Sequence, residues 1–292
     1  MLSVPLVVLL GQVVLGLING AFYAVLSLGL AIIFGMLNVI NFAHGAFYML
    51  GAFVCWLLLT HVGLGYWPAL VVVPLVVGAV GVVVERVFLS RLAGIDHLYG
   101  LLFTFGLALA LEGGFIFVFG AAGNPYPVPD ALRGIVRLGP LILPLYRFWV
   151  ITASIIVCLA VWLLIEKTRL GALLRAATEN PRLVTAFGVN VPLLVTLTYG
   201  ACVGLAGFAG VLAAPIYQVS PTMGSNLIII VFAVVVIGGL GSIGGSIVTG
   251  LALGVIEGLT KVFYPAGSTI VIFLVMVLVL MLRPAGLFGR ET

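Results

Sequence analysis

Apolar residues fill this chain in long blocks without the alternation that marks barrel strands, and polar residues gather in a few short breaks between the blocks. The stretches Leu70 to Val84, Phe148 to Ile165 and Ile270 to Leu282 carry no charge at all. A helix that crosses a hydrocarbon core needs about 20 such residues, so the pattern predicts spanning helices. The expected spans are Leu6 to Phe34, Phe42 to Leu59, Pro68 to Val84, Leu98 to Phe119, Phe148 to Ile165, Pro192 to Ala214, Leu227 to Ile237, Ile247 to Phe263 and Thr269 to Leu282. The fold class expected is an all-α polytopic membrane protein of eight to ten transmembrane helices, organised as a single transmembrane domain over residues 1–292. The first run is either one tilted helix or a broken pair; it is read as one helix with its N-terminus outside, not as a cleaved signal, because no basic segment precedes it.

Basic residues assign the sides. Arg86 and Arg91 follow the third span, Lys167, Arg169, Arg175 and Arg182 follow the fifth, and Arg283 and Arg290 follow the last, which places these three sites in the cytoplasm. Residues 166–191 then form a cytoplasmic loop and residues 120–147 an extracytoplasmic one, rich in proline (Pro125, Pro127, Pro129, Pro140, Pro144) although it also carries Arg133, Arg137 and Arg147.

Composition sharpens this. Hydrophobic residues are 64% and charged residues 7% of the 292, against about 25% charged in ordinary soluble domains. A net charge of +4 confined to loops gives no basic face for nucleic acid. Cys55, Cys158 and Cys202 lie in apolar runs at spacings that suit neither zinc nor a redox dithiol, and are expected as buried free thiols. No phosphate-binding GxxxxGK[ST], HExxH or GxSxG motif is present, so the chain is not expected to be an enzyme, and any ATP-driven step needs another chain. GLGSIG at Gly239 to Gly244 matches a dinucleotide fingerprint but lacks its strand–helix context; a tight glycine turn between apolar helices is expected, open to the approach of a permeating solute at Gly239 and Gly241.

Polar residues inside apolar sequence mark the candidates for function. Asn38, Asn41 and His44 recur every third residue beside Tyr48, forming either a path-lining stripe or a polar helix start at the interface. Glu112 lies within an apolar run, where an ionisable group is costly; proton coupling and a hydrogen-bonded structural role are both open. Glu257 with Lys261 at i+4 reads as a structural ion pair. Ser242, Ser246, Gly250, Gly254 and Gly258 form a small-residue ridge, for packing within the subunit or between subunits, and Gly200, Gly204 and Ala214 with Gly207 and Gly210 line another helix. Between Glu166 and Val191, leucines at helical spacing oppose Arg169, Arg175 and Glu179, and Asn180–Pro181 interrupts them, which predicts two short helices with an elbow. Its mixed charges and elbow favour protein docking over a purely lipid-bound role.

The segments NVINFAHGAFYMLGAF, TRLGALLRAATENPRLVTAFGVNV, GLAGFAGVLAAPIYQVSP, VVVIGGLGSIGGSIVTGLALGVIEGL and VLMLRPAGLFG, in that order, resemble the LivH-type permeases of branched-chain amino-acid ABC importers over nearly the whole chain. The resemblance implies the ABC importer permease fold of that family, in a bacterial or archaeal cytoplasmic membrane. It implies a second, homologous permease, two cytoplasmic ATP-binding subunits that bind the ATP and magnesium, an extracytoplasmic solute-binding protein, and no cofactor in this chain. It also implies an ATPase-coupling segment containing Gly171, Arg175, Glu179, Asn180, Pro181, Arg182 and Gly188, and a substrate path drawing on Asn38, Asn41, His44 and Tyr48 with the glycine turn at Gly239 and Gly241 nearby; Glu112 is added to the candidate path from its place in an apolar run alone. The chain departs from the family at NLIIIVFAVVVIGG, where members often carry a lysine. Leucine, another amino acid, an amide, urea or an aromatic acid all remain open as solute. The rival readings are a stand-alone secondary transporter or channel using Glu112 and an intramembrane enzyme built on His44.

Overall fold

The computed structural model describes residues 5–37, 41–92, 96–139 and 141–289. Its helices are α1 (Leu6–Leu37), α2 (Ala43–Leu57), α3 (Tyr66–Val84), α4 (Ser90–Leu92), α5 (His97–Phe119), α6 (Leu145–Lys167), α7 (Arg169–Glu179), α8 (Pro181–Ala186), α9 (Val191–Ala213), α10 (Met223–Gly238), α11 (Ile243–Phe263) and α12 (Ser268–Leu282). Among the described residues eight helical stretches are long and apolar enough to cross a membrane, and α10 is a shorter apolar helix. At 16 residues, α10 is about 24 Å long, less than a bilayer core. The chain is thus an all-α, multi-pass membrane protein. Among the described residues the strands form one hairpin, β1 (Ile135–Leu138) and β2 (Leu141–Pro144), paired antiparallel from Ile135 opposite Pro144 to Leu138 opposite Leu141.

Two helices run on past their α-helical bounds. A π turn Leu58–Val62 extends α2, and another, Glu85–Leu89, joins α3 to α4, so the third apolar span reaches Leu92 instead of stopping at Val84. The first apolar run is a single unbroken helix of 32 residues.

The chain divides into two compact units, Met1–Leu28 with Val128–Cys158 and Ile230–Thr292, and Gly29–Pro127 with Leu159–Ile229. In the first, the ridge on α11 packs against α1. Gly250 faces the backbone of Ala24, Gly254 faces Gly16 and Gly20, and a Cβ on Gly16 would lie 2.5 Å from the carbonyl oxygen of Gly254. Hydrocarbon gives helices no hydrophobic reason to associate, so this close backbone approach, bought by small residues, supplies the contact. Tyr23 Oη donates to Glu257 Oε2 at 2.7 Å, and Lys261 Nζ lies 2.6 Å from Glu257 Oε1. The buried Glu257 carboxylate is held on both oxygens.

The second unit is built on α9, which packs against α2 and α3 through the other set of glycines. Gly204 approaches the carbonyl of Pro74, Gly200 that of Gly78, and Gly51 of α2 meets Gly207. The loop after α5 is tied back by paired hydrogen bonds of 2.9 Å between Asn124 and Val219. Burial, helped by the neighbouring Cys55 thiol, pushes the phenol of Tyr126 in that loop well above its ordinary range. All three cysteines are free and buried.

Candidate functional site: a polar cavity and the elbow beside it

The second unit holds a cavity of about 810 Å³ whose walls come from Ile33 of α1, the π turn after α3 with α4, α5, α9 and the segment leading into α2. Glu85 enters it from the π turn after α3. The turn follows the face of α3 that carries Gly78 and Gly81, both packed on α9, so the next residue on that face is also turned toward α9. Glu85 is only 4% exposed. Thr196 Oγ1 of α9 donates to Glu85 Oε2 at 2.5 Å, and among the described residues no basic side chain forms an ion pair with Glu85. One turn further along α9, Tyr199 accepts a hydrogen bond of 3.0 Å from Asn41 Nδ2. Asn41 is 1% exposed, and its amide oxygen has no partner. Thr104 of α5, also on the wall, accepts the backbone N–H of Phe42 at 3.3 Å and so fixes the start of α2. Arg86, in contrast, lines the cavity at an exposed position.

The cavity extends to Asn190, Val191 and Val195, where the elbow joins α9. Asn180 Oδ1 accepts the N–H of Leu183 at 3.0 Å and caps α8, Pro181 occupies its first turn, and Gly188 ends it at φ +84°. Asn190 then caps α9 through Leu193 N–H at 3.1 Å. Gly171 packs against the carbonyl of Ile165, and Arg175 Nη1 donates to the same oxygen at 3.0 Å while lying 3.6 Å from Glu166 Oε2. These contacts fasten α7 to the end of α6. Ala177 of α7, Val184 of α8 and Val191 of α9 form one apolar cluster against which Val195 packs. Val191 and Val195 therefore touch the elbow on one side and the cavity on the other. The outer face of the elbow stays open: Glu179 and Arg182 are exposed, Leu183 is 54% exposed and Phe187 80%.

The residues singled out from sequence fall in different places. Asn41 lines the cavity. His44 and Tyr48 of α2 are fully buried; His44 lies against Gly29, and the backbone of Tyr48 against Gly210, and neither is on the cavity wall. Asn38 lies outside the described residues. Glu112 borders a separate pocket of about 70 Å³ between α5 and the start of α10. Gly239 (φ +100°) and Gly241 (φ +83°) form the turn between α10 and α11 in the first unit, and the C-terminal segment covers that turn. Leu287 N–H donates to Ile237 O at 2.8 Å and Phe288 N–H to Gly238 O at 3.2 Å. Glu85, Thr196 and Tyr199 were not singled out. Glu85 reads in sequence as the polar end of a span beside Arg86; its spacing of four from Gly81 and seven from Gly78, on a helix face made of small residues, is the signal that marks it.

A many-helix membrane protein with a mostly apolar cavity carrying a few buried polar groups, and an exposed elbow abutting it, fits a transport permease. The model of the family described as "Branched-chain amino acid transport system / permease component" matches residues 12–280, and the chain belongs to that family. It is 30% identical to the high-affinity branched-chain amino acid transport system permease protein BraD of Pseudomonas aeruginosa over 96% of both chains. It is 27% identical to LivH of Escherichia coli, again over 96% of both, and 28% identical to the probable LivH of the archaeon Methanocaldococcus jannaschii over 91% of this chain and 88% of that one. No solved structure matches.

Proposed function

We propose that this chain is the membrane-spanning permease subunit of an ATP-driven importer for branched-chain amino acids or a related small polar solute. It works beside a second, homologous permease, over two cytoplasmic ATPase subunits that bind ATP and magnesium, and beneath an extracytoplasmic solute-binding protein, in the cytoplasmic membrane of a bacterium or archaeon. The carrying observation is the apolar cluster that the elbow shares with the cavity wall through Val191 and Val195. Closure of the ATPases would displace α7 and α8, which the cluster and the Ile165 contacts make a stiff unit with the start of α9. The wall would move with them, and the cavity would alternate in access. The path needs groups that bind weakly, since a tight site would slow release.

A stand-alone transporter coupled through Glu112 has less support, because Glu112 borders only the small pocket and lies apart from the cavity lining. A photo-crosslinker placed at Phe187, in the complex purified from its native membrane, tests the docking role. Capture of a nucleotide-hydrolysing chain is expected; capture of phospholipid alone would contradict the proposal.

A further inference from the structure

The charged groups on the cavity wall are Glu85, Arg86 and Asp96; Arg86 and Asp96 are exposed, and the buried groups that stand out, Glu85 and the Asn41 amide oxygen, are both acceptors. Glu85 is a buried carboxyl with one hydroxyl donor and no ion-pair partner among the described residues. Removing a carboxylate from water costs several kcal/mol unless a positive group or several donors compensate. Thr196 supplies one neutral donor. Asn41 adds an amide oxygen, equally buried and without a partner, where buried polar atoms are otherwise hydrogen-bonded. Tyr199 and Thr196 stand one turn apart on the same face of α9, each bonded to one of the two groups, and so fix both in the same wall.

We propose that Glu85 and Asn41 form a binding site for a nitrogen rich in N–H donors, an ammonium first of all, and that this site sets which solutes the permease accepts. The inference rests on the permease reading above. The ammonium supplies the counter-charge that Glu85 has no partner for and an N–H for the Asn41 oxygen. The exposed Arg86 on the same cavity suits an acid group at the other end of a zwitterion, while the aliphatic remainder lies against Ile33, Leu89 and Val195. A solute bearing only a carboxylate meets the Glu85 charge and is disfavoured. The membrane path is then selective for the amino end of its solute, whatever the binding protein selects outside.

Three probes with the same branched alkyl tail separate the ends: leucine, 3-methylbutylamine, which lacks the carboxylate, and 4-methylpentanoate, which lacks the amine, each measured for binding to the purified full-length permease in nanodiscs, with empty nanodiscs subtracted. The amine and leucine are expected to bind more than about tenfold tighter than the acid, and Glu85→Gln to lose more than about tenfold for the amine while leaving the acid no weaker. Glu85→Asp should restore part of the amine binding, and Asn41→Leu should weaken it several-fold with Glu85 intact. Equal binding of the three probes, no amine binding by the unaltered protein, or amine binding indifferent to both Glu85→Gln and Asn41→Leu would overturn the site. Thermal unfolding of each variant identifies any that fails to fold, and the other substitution then decides. ATP-driven uptake by the reconstituted complex is scored separately. Uptake that persists while amine binding ignores Glu85 and Asn41 defeats this inference alone, whereas absence of ATP-driven uptake by the unaltered complex defeats the permease reading.

Discussion

Gly51 of α2 and Gly207 of α9 lie backbone against backbone, so close that a Cβ on Gly51 would sit 2.5 Å from both the Cα and the carbonyl oxygen of Gly207. Neither atom is able to swing away as a side-chain tip does. Gly51→Ala is therefore expected to cost about 1–3 kcal/mol, the range for overpacking a tight core. Gly106 on α5 has open space around it, so Gly106→Ala should be neutral or stabilise by up to about 1 kcal/mol through the unfolded chain. Thermal unfolding of the two variants side by side checks this, and equal effects would contradict the packing described.

In the first unit, Glu257 is held by Tyr23 at 2.7 Å and Lys261 at 2.6 Å. Lys261→Met leaves a buried carboxylate with one neutral donor and should cost about 1–3 kcal/mol. Adding Glu257→Gln should recover part of that loss, because the amide oxygen still accepts from Tyr23 and no charge is stranded. A double-mutant cycle on unfolding free energies reads the coupling; additivity would show the pair to be inert.

The glycine turn and the C-terminal segment also act as a pair. Gly286 (φ +83°) comes so close to the turn that a Cβ there would lie 2.6 Å from the Cα of Gly239, and a Cβ on Gly239 would lie 2.5 Å from the backbone nitrogen of Gly289. Gly239→Ala is expected to lower the yield of folded protein sharply. Truncation after Arg283 removes the clash but not the φ strain, so the same substitution should be markedly milder in that background. Similar losses in both backgrounds would mean that the strain alone governs.

Val184 of α8 is buried in the cluster that also holds Val191, yet it does not line the cavity. Val184→Ala should slow uptake at unchanged ATP hydrolysis and leave 3-methylbutylamine binding intact, since it loosens the link between elbow and wall without touching the site. Reconstituted vesicles report uptake and hydrolysis together. Loss of amine binding would show that the cluster shapes the site itself.

The spans were legible because lipid imposes long uncharged runs, and the elbow because Asn180–Pro181 interrupts a helical leucine pattern, of whose apolar side Leu174 and Ala177 are buried while Leu170 is 49% exposed. The ridge on α11 was legible as a packing surface, though not its choice of α1. Other features depend on contacts distant in sequence. Glu85 lies beside Arg86 in the chain; its spacing from Gly78 and Gly81 hints at the α9-facing side, and the packing of α3 on α9 shows that Glu85 is buried and Arg86 exposed, though both line the cavity. Gly239 and Gly241 carried a turn signal, but the partner of that turn lies about fifty residues later, at Gly286 to Gly289. The hairpin Ile135–Leu138 with Leu141–Pro144 is too short to stand out from a proline-rich loop.

The central claim is that the elbow transmits the work of separate ATPases to the cavity. It is tested most directly by uptake per ATP hydrolysed in proteoliposomes holding the whole importer, with Glu179→Ala/Arg182→Ala compared with the unaltered chain. Both residues are exposed on the elbow, and neither lines the cavity. The account predicts that hydrolysis continues while uptake falls at least about tenfold, the effect of losing one or two charged contacts at an interface. Uptake unchanged by the double substitution, or uptake by this chain alone without ATP, would contradict it.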